Sequence, residues 1–184
     1  FGQYLEALIQ ARAKVPNYAS HEAWQAVKGG ALPAPRRTGS GADLPTFCIK
    51  VPTGGGKTLL ATQILGQAYK TLLTTRNGVG LVLWVVPSDQ IYKDTLKALR
   101  DRNHFYRQSL EFVLSRRIEV WEKHEISRLT PAQLASSLNV LMLKLQGTNR
   151  QDKESLKFFR DSGGNIAAHF PPEDDYEANR ALKA

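Results

Sequence analysis

The chain has little of what disulfide-bonded, secreted or membrane-spanning proteins need. Its 184 residues include one cysteine, Cys48, which excludes an intrachain disulfide and a cysteine-rich zinc site. The longest apolar run, residues 79–87, is half of the ~20 residues that a transmembrane helix requires. No basic segment followed by an apolar one opens the chain. We therefore expect a cytoplasmic protein without a membrane segment.

Acidic residues are also few relative to basic ones. The chain has 17 Asp and Glu against 25 Lys and Arg, which gives a net charge of +8. Residues 45–161 hold 18 of the basic and 10 of the acidic side chains, so the excess lies there. Such an excess favours a polyanionic partner, although a solvated basic surface is equally typical of proteins that bind no nucleic acid. The apolar share of 42% predicts a folded domain.

Composition and periodicity divide the chain into three parts. Residues 1–44 predict two short helices, one ending before Pro16 and one over 20–27, followed by a loop rich in proline and glycine. Residues 45–161 predict alternating strands and helices. Residues 162–184 form an acidic tail.

Two strand–helix units follow each other in the middle part. The apolar residues around Phe47 and Cys48 predict a strand buried on both faces, and the spacing of leucines predicts a helix over 57–73. Residues 80–86 predict a second strand, and Ser88 is a typical N-cap for the helix after it, with Tyr92, Leu96 and Leu99 on one face. Repeated strand–helix units predict a parallel sheet covered by helices.

Weaker signals follow after residue 103. Ile118 and Val120 alternate with charged residues as in a half-buried strand, and Thr130 and Gln133 have the spacing of a capping box. Residues 140–145 predict another strand and residues 152–162 an amphipathic helix.

The strongest chemical signal is VPTGGGKT at residues 51–58. Glycines without β-carbons let several backbone amides point at one spot, where the positive end of the next helix also faces, so an anion fits there. Lys57 would reach the β- and γ-phosphates of ATP, and the Thr58 hydroxyl would join the coordination shell of a bound Mg²⁺. The predicted nucleotide-binding residues are Pro52, Thr53, Gly54, Gly55, Gly56, Lys57 and Thr58.

One position departs from the strict GxxxxGK[ST] pattern, because Val51 stands where the first glycine would be. The segment CIKVPTGGGKTLLA at residues 48–61 resembles motif I of superfamily 2 helicases and translocases, in the subgroup of type III restriction enzyme Res subunits. The resemblance implies an α/β fold, an incomplete three-layer RecA-like P-loop domain with a mostly parallel sheet. It also implies ATP-driven movement on double-stranded DNA, a separate nuclease domain, and a modification or specificity subunit as partner.

Two further segments resemble DNA-contacting motifs of the same superfamily. LVLWVVPS at residues 81–88 resembles motif Ia, which places Pro87, Ser88 and Gln90 along the DNA backbone. NVLMLKLQGT at residues 139–148 resembles the strand that precedes motif II, and makes Gln146 and Thr148 further backbone contacts. Taken alone, each segment is also typical of a plain strand followed by a cap or a polar turn.

The sequence contains no apolar strand that ends in the Asp-Glu pair of ATP-hydrolysing motors. The acidic run 173–175 follows Phe-Pro-Pro and is typical of a solvated tail, and the four histidines lack metal-ligand spacing. We therefore expect part of a first motor lobe that binds ATP but hydrolyses it negligibly by itself. Two alternatives remain open, namely another P-loop ATPase and a non-enzymatic DNA-binding module with a structural glycine turn.

Overall fold

A computed structural model describes residues 1–32, 34–38, 41–73, 80–114 and 117–145. Within them lie six α-helices and three β-strands: α1 (Gly2–Lys14), α2 (Ala19–Val27), α3 (Lys57–Ala68), β1 (Gly80–Val86), α4 (Asp89–Arg100), α5 (Phe105–Leu114), β2 (Ile118–Glu122), α6 (Pro131–Ser136) and β3 (Leu138–Lys144). Short 3₁₀ helices cover Pro16–Tyr18 and Lys123–Arg128, and a π-helical turn, Tyr69–Leu73, extends α3. None of the described helices is long and apolar enough to cross a bilayer.

The sheet is parallel throughout and has the order β1-β3-β2. Gly80 of β1 and Ile118 of β2 both pair with Leu138 of β3, so the three strands start level with one another. Val86, the last residue of β1, is level with Lys144 at the end of β3. Parallel strands need helical crossovers, and the chain supplies them as α4 with α5 and as α6. The α/β fold with an incomplete RecA-like parallel sheet is thus confirmed.

Two layers cover the sheet. On one face α4 and α5 bury the main core, which comprises Tyr69, Leu99, Leu110, Leu114, Ile118, Leu138, Val140 and Met142. On the other face Lys123–Arg128 and α6 cover β3 through Ile126, Leu129 and Leu141. Among the described residues, that second cover leaves much of one face of β1 open, since the alternating residues Leu81, Leu83 and Val85 are 48, 59 and 48% exposed. The predicted strand at 80–86 is confirmed, with only one of its faces packed in the main core.

The two N-terminal helices pack against each other and against the end of the α3 extension. Leu8, Ala19 and Ala23 form their buried contact, with Leu72 packed against it. Asp43 holds the loop after α2 to that helix, because its carboxylate accepts hydrogen bonds from the backbone amide and the hydroxyl of Ser20, at 2.7 and 2.6 Å. This loop therefore leads from a fixed anchor into the glycine segment.

The predicted strand before the glycine segment is absent. Residues 45–52 are not assigned to any strand, and Phe47, Cys48 and Ile49 are exposed. Neither β1 nor β2, the two edges of the described sheet, pairs with these residues, so the apolar run lies outside the sheet. The prediction that Cys48 is a core residue is wrong for the same reason. Phe47 instead lies against the ring of Phe1, with 4.8 Å between the centroids.

Other element predictions differ less from the structure. The predicted helix over 57–73 is α3 plus the π-helical turn, and its buried positions are Thr62, Gly66 and Tyr69 rather than the leucine stripe. The strand predicted at 140–145 runs from Leu138 to Lys144, and α5 was not predicted at all. The helix start at Ser88, the strand at 118–122 and the capping box of α6 are confirmed. The predicted helix 152–162 and the acidic tail lie outside the described residues.

Candidate functional site

The glycine segment forms a tight turn at the mouth of α3. Gly54 and Gly56 have φ angles of 78° and 71°, in the left-handed region that β-carbons disfavour. Gly55 lies so close to the backbone before it that an added β-carbon would be 2.7 Å from Val51 Cγ1 and 3.0 Å from Pro52 O. All three positions therefore require glycine, two for backbone conformation and one for space.

Two donors of this turn converge on one carbonyl. The Gly55 amide donates to Pro52 O at 3.1 Å, and the Lys57 ammonium donates to the same oxygen at 2.8 Å. Lys57 therefore folds back over the loop instead of extending away from it. Its ammonium is exposed, so an anion that enters the turn meets a positive charge already positioned above it.

The start of α3 leaves its first amides outside the helical ladder. Gly56 is the N-cap, has no side chain to accept from them, and accepts the first helical bond, from Leu60 N at 2.9 Å. Thr58, in the first turn, is half-buried beside them. A glycine turn, an uncapped helix mouth, an ammonium and a hydroxyl fit the phosphates of a nucleotide with Mg²⁺, since each supplies a donor or ligand that such a group requires.

The predicted DNA-backbone residues that the structure describes lie at the carboxyl edge of the sheet. Pro87 and Gln90 are exposed, and Ser88 caps α4 by accepting the Ile91 amide at 3.4 Å. Gln90 donates to both carboxylate oxygens of Asp94 at 3.0 Å. Because Val86 and Lys144 are level, the ends of β1 and β3 meet at this edge. Gln146 and Thr148 lie outside the described residues.

A family model described as "Type III restriction enzyme, res subunit" matches residues 8–165. The chain belongs to this family. The match covers most of the chain and contains the glycine turn, the three strands and the carboxyl edge just described. The family is helicase-like and acts on DNA in an ATP-dependent manner, so ATP, with Mg²⁺, and DNA are its characteristic ligands. Comparison with curated proteins and with solved structures returns no significant match.

Sequence reasoning missed the buried arginine of this Res-family chain. Arg107 of α5 is 6% exposed and donates to the carbonyls of Leu99 and Ile118, at 3.0 and 2.7 Å, and to Glu111 at 2.9 Å. It thus satisfies carbonyls at the end of α4 and the start of β2, which holds the helix layer to the sheet. The i,i+4 spacing of Arg107 and Glu111 was the available signal, but such pairs are common on exposed helix faces.

A second buried polar group joins the sheet to its other cover. Asn139 is fully buried. Its side-chain NH₂ group donates hydrogen bonds to Gln133 O at 3.1 Å and to Ser137 O at 3.0 Å. Its side-chain oxygen accepts a hydrogen bond from Trp121 Nε1 at 2.8 Å. Every polar atom of this side chain is therefore used within the fold, which leaves none for a ligand.

Glu122, His124 and Glu125 bring possible metal-ligand atoms within 4.8 Å of one another. Both carboxylates already have protein partners, because Arg100 pairs with Glu122 and Glu125, and Tyr92 donates to Glu122 at 3.0 Å. Burial acts to raise the pKa of Glu125, but the Glu122 amide and the Arg100 charge outweigh it and lower that pKa. The cluster is an ion-pair network that fastens α4 to the end of β2.

Proposed function

We propose that this chain is the ATP-binding part of the first motor lobe of a type III-like restriction enzyme, in which ATP hydrolysis by the whole protein drives movement along double-stranded DNA. The observation that carries the proposal is the glycine turn at the uncapped start of α3, with the Lys57 ammonium held over it at 2.8 Å from Pro52 O. The family match supports the same function at a coarser level.

In this proposal each residue of the turn has a separate task. The loop of residues 52–56 surrounds the phosphates. Its donors are the amides of residues 53, 54 and 56, because Pro52 has no N–H and the Gly55 amide donates to Pro52 O. Lys57 exchanges its contact with Pro52 O for phosphate oxygens. The Thr58 hydroxyl ligates Mg²⁺, which supplies charge neutralisation between the phosphates when it is bound. Pro87, Ser88, Gln90, Gln146 and Thr148 are the proposed contacts to the DNA backbone.

The proposal extends to the parent protein. A separate nuclease domain and a modification or specificity subunit would cooperate with the motor, and the location would be the cytoplasm. Residues 1–184 alone are expected to bind nucleotide weakly and to hydrolyse it negligibly, because the sequence lacks an apolar strand ending in Asp-Glu.

Nucleotide binding by Lys57→Ala tests the central claim. Fluorescence titration with a labelled ATP analogue and Mg²⁺ should show affinity at least about tenfold lower than in the wild type, since a charge-assisted hydrogen bond contributes roughly 1.5–3 kcal/mol. Lys50→Ala is the matched control, because it removes another exposed lysine seven residues upstream without touching the turn. Its affinity should stay within about twofold of the wild type.

Two results would contradict the proposal. Equal losses in the two variants would mean that Lys57 contributes only to the general positive charge. If neither the wild type nor the variants bind nucleotide while all bind duplex DNA, the chain is a DNA-binding module whose glycine turn is structural. Circular dichroism before and after heating confirms that each variant is folded.

A further inference from the structure

An exposed ion pair occupies the carboxyl edge of the sheet. Lys144 Nζ, at the end of β3, is 2.7 Å from Asp89 Oδ1, in the first turn of α4. The two side chains are 45 and 65% exposed, so solvent and ions reach both. The pair lies beside Pro87 and Ser88, because Lys144 is level with Val86 at the end of β1.

Other charged and aromatic groups reach the same spot from α4. The Lys144 ammonium is 5.8 Å from the centre of the Tyr92 ring, which orients it without neutralising it. The hydrogen bond and charge of Lys144, together with the charge of Lys93, lower the pKa of Asp89. Asp89 is thus a carboxylate paired with the Lys144 ammonium, at an edge where the proposed DNA track needs cations.

We propose that Lys144 is a further contact to the phosphodiester backbone of duplex DNA, and that Asp89 is an internal competitor which holds this ammonium until a DNA phosphate displaces it. This inference rests on the proposed function, since it assumes that DNA follows the carboxyl edge. An exposed ion pair is weak and exchanges readily, so a phosphate that also meets neighbouring donors competes with the carboxylate effectively. Asp89 therefore reduces binding to isolated phosphates more than binding to a continuous backbone.

Duplex-DNA binding by Asp89→Asn tests the competition. Fluorescence anisotropy with a labelled 20-base-pair duplex at low salt should show binding tighter than wild type by about threefold to tenfold. The salt slope should stay close to that of the wild type, because Lys144 contacts the same phosphate in both proteins. Lys144→Ala should weaken binding and reduce the salt slope by about one. In the Asp89→Asn/Lys144→Ala double variant the tightening should disappear, because the ammonium that Asp89 restrains is gone.

Glu119→Gln is the matched control for the change in net charge. Glu119 also forms an exposed ion pair, with Arg117 at 3.7 Å, but near the amino ends of the strands. Its removal frees a cation of similar exposure away from the carboxyl edge, so affinity should change by less than about twofold.

The outcomes separate this inference from the proposed function. If Asp89→Asn and Glu119→Gln tighten binding equally, or if the effect of Asp89→Asn persists without Lys144, the competition is overturned while DNA binding stands. If no variant binds duplex DNA, the DNA part of the proposed function fails together with this inference. Thermal melting of each variant excludes unfolding as the source of a loss.

Discussion

At the scale of single residues, Val51 and Gly55 together determine the shape of the glycine turn. Val51 occupies the position of the first glycine in the strict motif, and its Cγ1 lies 2.7 Å from the position that a β-carbon on Gly55 would take. The Pro52 carbonyl accepts hydrogen bonds from the Gly55 amide and the Lys57 ammonium, and so closes the same turn. A bulkier first position is thus compatible with the loop because the residue four positions later has no side chain.

Gly55→Ala should therefore reduce nucleotide affinity while leaving the thermal midpoint nearly unchanged. The new β-carbon would be 2.7 Å from Val51 Cγ1 and 3.0 Å from Pro52 O, so the turn must open and misplace Lys57. We expect a loss of about tenfold or more, measured by nucleotide titration. Adding Val51→Ala removes the closer of the two clashes and should restore part of the affinity. Unchanged affinity in Gly55→Ala would contradict this account of the loop.

At the scale of elements, α3 and α5 approach each other at a glycine. Gly66 is buried, and a β-carbon there would be 2.6 Å from Val113 Cγ1 and 3.3 Å from Val113 Cβ. Because a β-branched side chain on a helix has little rotamer freedom, Val113 has little room to yield. This contact positions α3, the helix that follows the glycine turn, against the layer that Arg107 fastens to the sheet.

Gly66→Ala should destabilise the fold despite the better helix propensity of alanine. Overpacking costs about 1–3 kcal/mol, and alanine returns about 1 kcal/mol in a helix, so a net loss near 1 kcal/mol is expected. In a Val113→Ala background the clash is absent, and the same substitution should become stabilising. Urea unfolding of the four proteins measures both effects. A stabilising Gly66→Ala in the wild-type background would show that the helices are less tightly apposed.

At the scale of the whole molecule, polar groups at the margins of the sheet, as well as the apolar cores, hold the two covering layers to it. Tyr92 and Arg100 extend from α4 to Glu122 at the end of β2, and Arg100 continues to Glu125 beyond the strand. Burial, then the hydrogen bond to Glu122 and its charge, raise the pKa of Tyr92 to about 12. The helix layer, the sheet and the second cover are therefore joined through Arg100, Glu122 and Glu125, and the titratable phenol of Tyr92 donates to Glu122 in this group.

This linkage predicts a decline of stability at alkaline pH. The pKa of Tyr92 is higher in the folded than in the unfolded protein. Its contribution to the free energy of unfolding is therefore complete below pH 10, the pKa in the unfolded chain, and is lost as the pH rises toward 12, the pKa in the folded protein. Tyr92→Phe should be less stable than wild type by about 1 kcal/mol at pH 8, and the gap should close as the pH rises. Urea midpoints from pH 8 to 11 measure it, with Tyr18→Phe as an exposed control. A gap that stays constant over this range would contradict the linkage.

Local patterns predicted much of what surrounds the candidate site. The glycine turn, the N-cap at Ser88 and the capping box at Thr130 depend on residues a few positions apart, so their signals are complete in the sequence. The roles of Lys57 and Thr58 in nucleotide binding remain predictions. The helix α5 escaped prediction because its buried residues include Arg107, which a pattern of apolar spacing does not count.

The sequence by itself determined the helix start at Ser88, the capping box at Thr130, the glycine turn and the family, because each follows from local residue types and spacing. Only the tertiary structure decided that Phe47 and Cys48 are exposed, that one face of β1 is uncovered, and that Asp89 meets Lys144. These features depend on which strands become neighbours and where the covering layer stops. Pairings between distant segments carry no local signal, since the same apolar run is stable in a sheet only where a partner strand presents its amides and carbonyls.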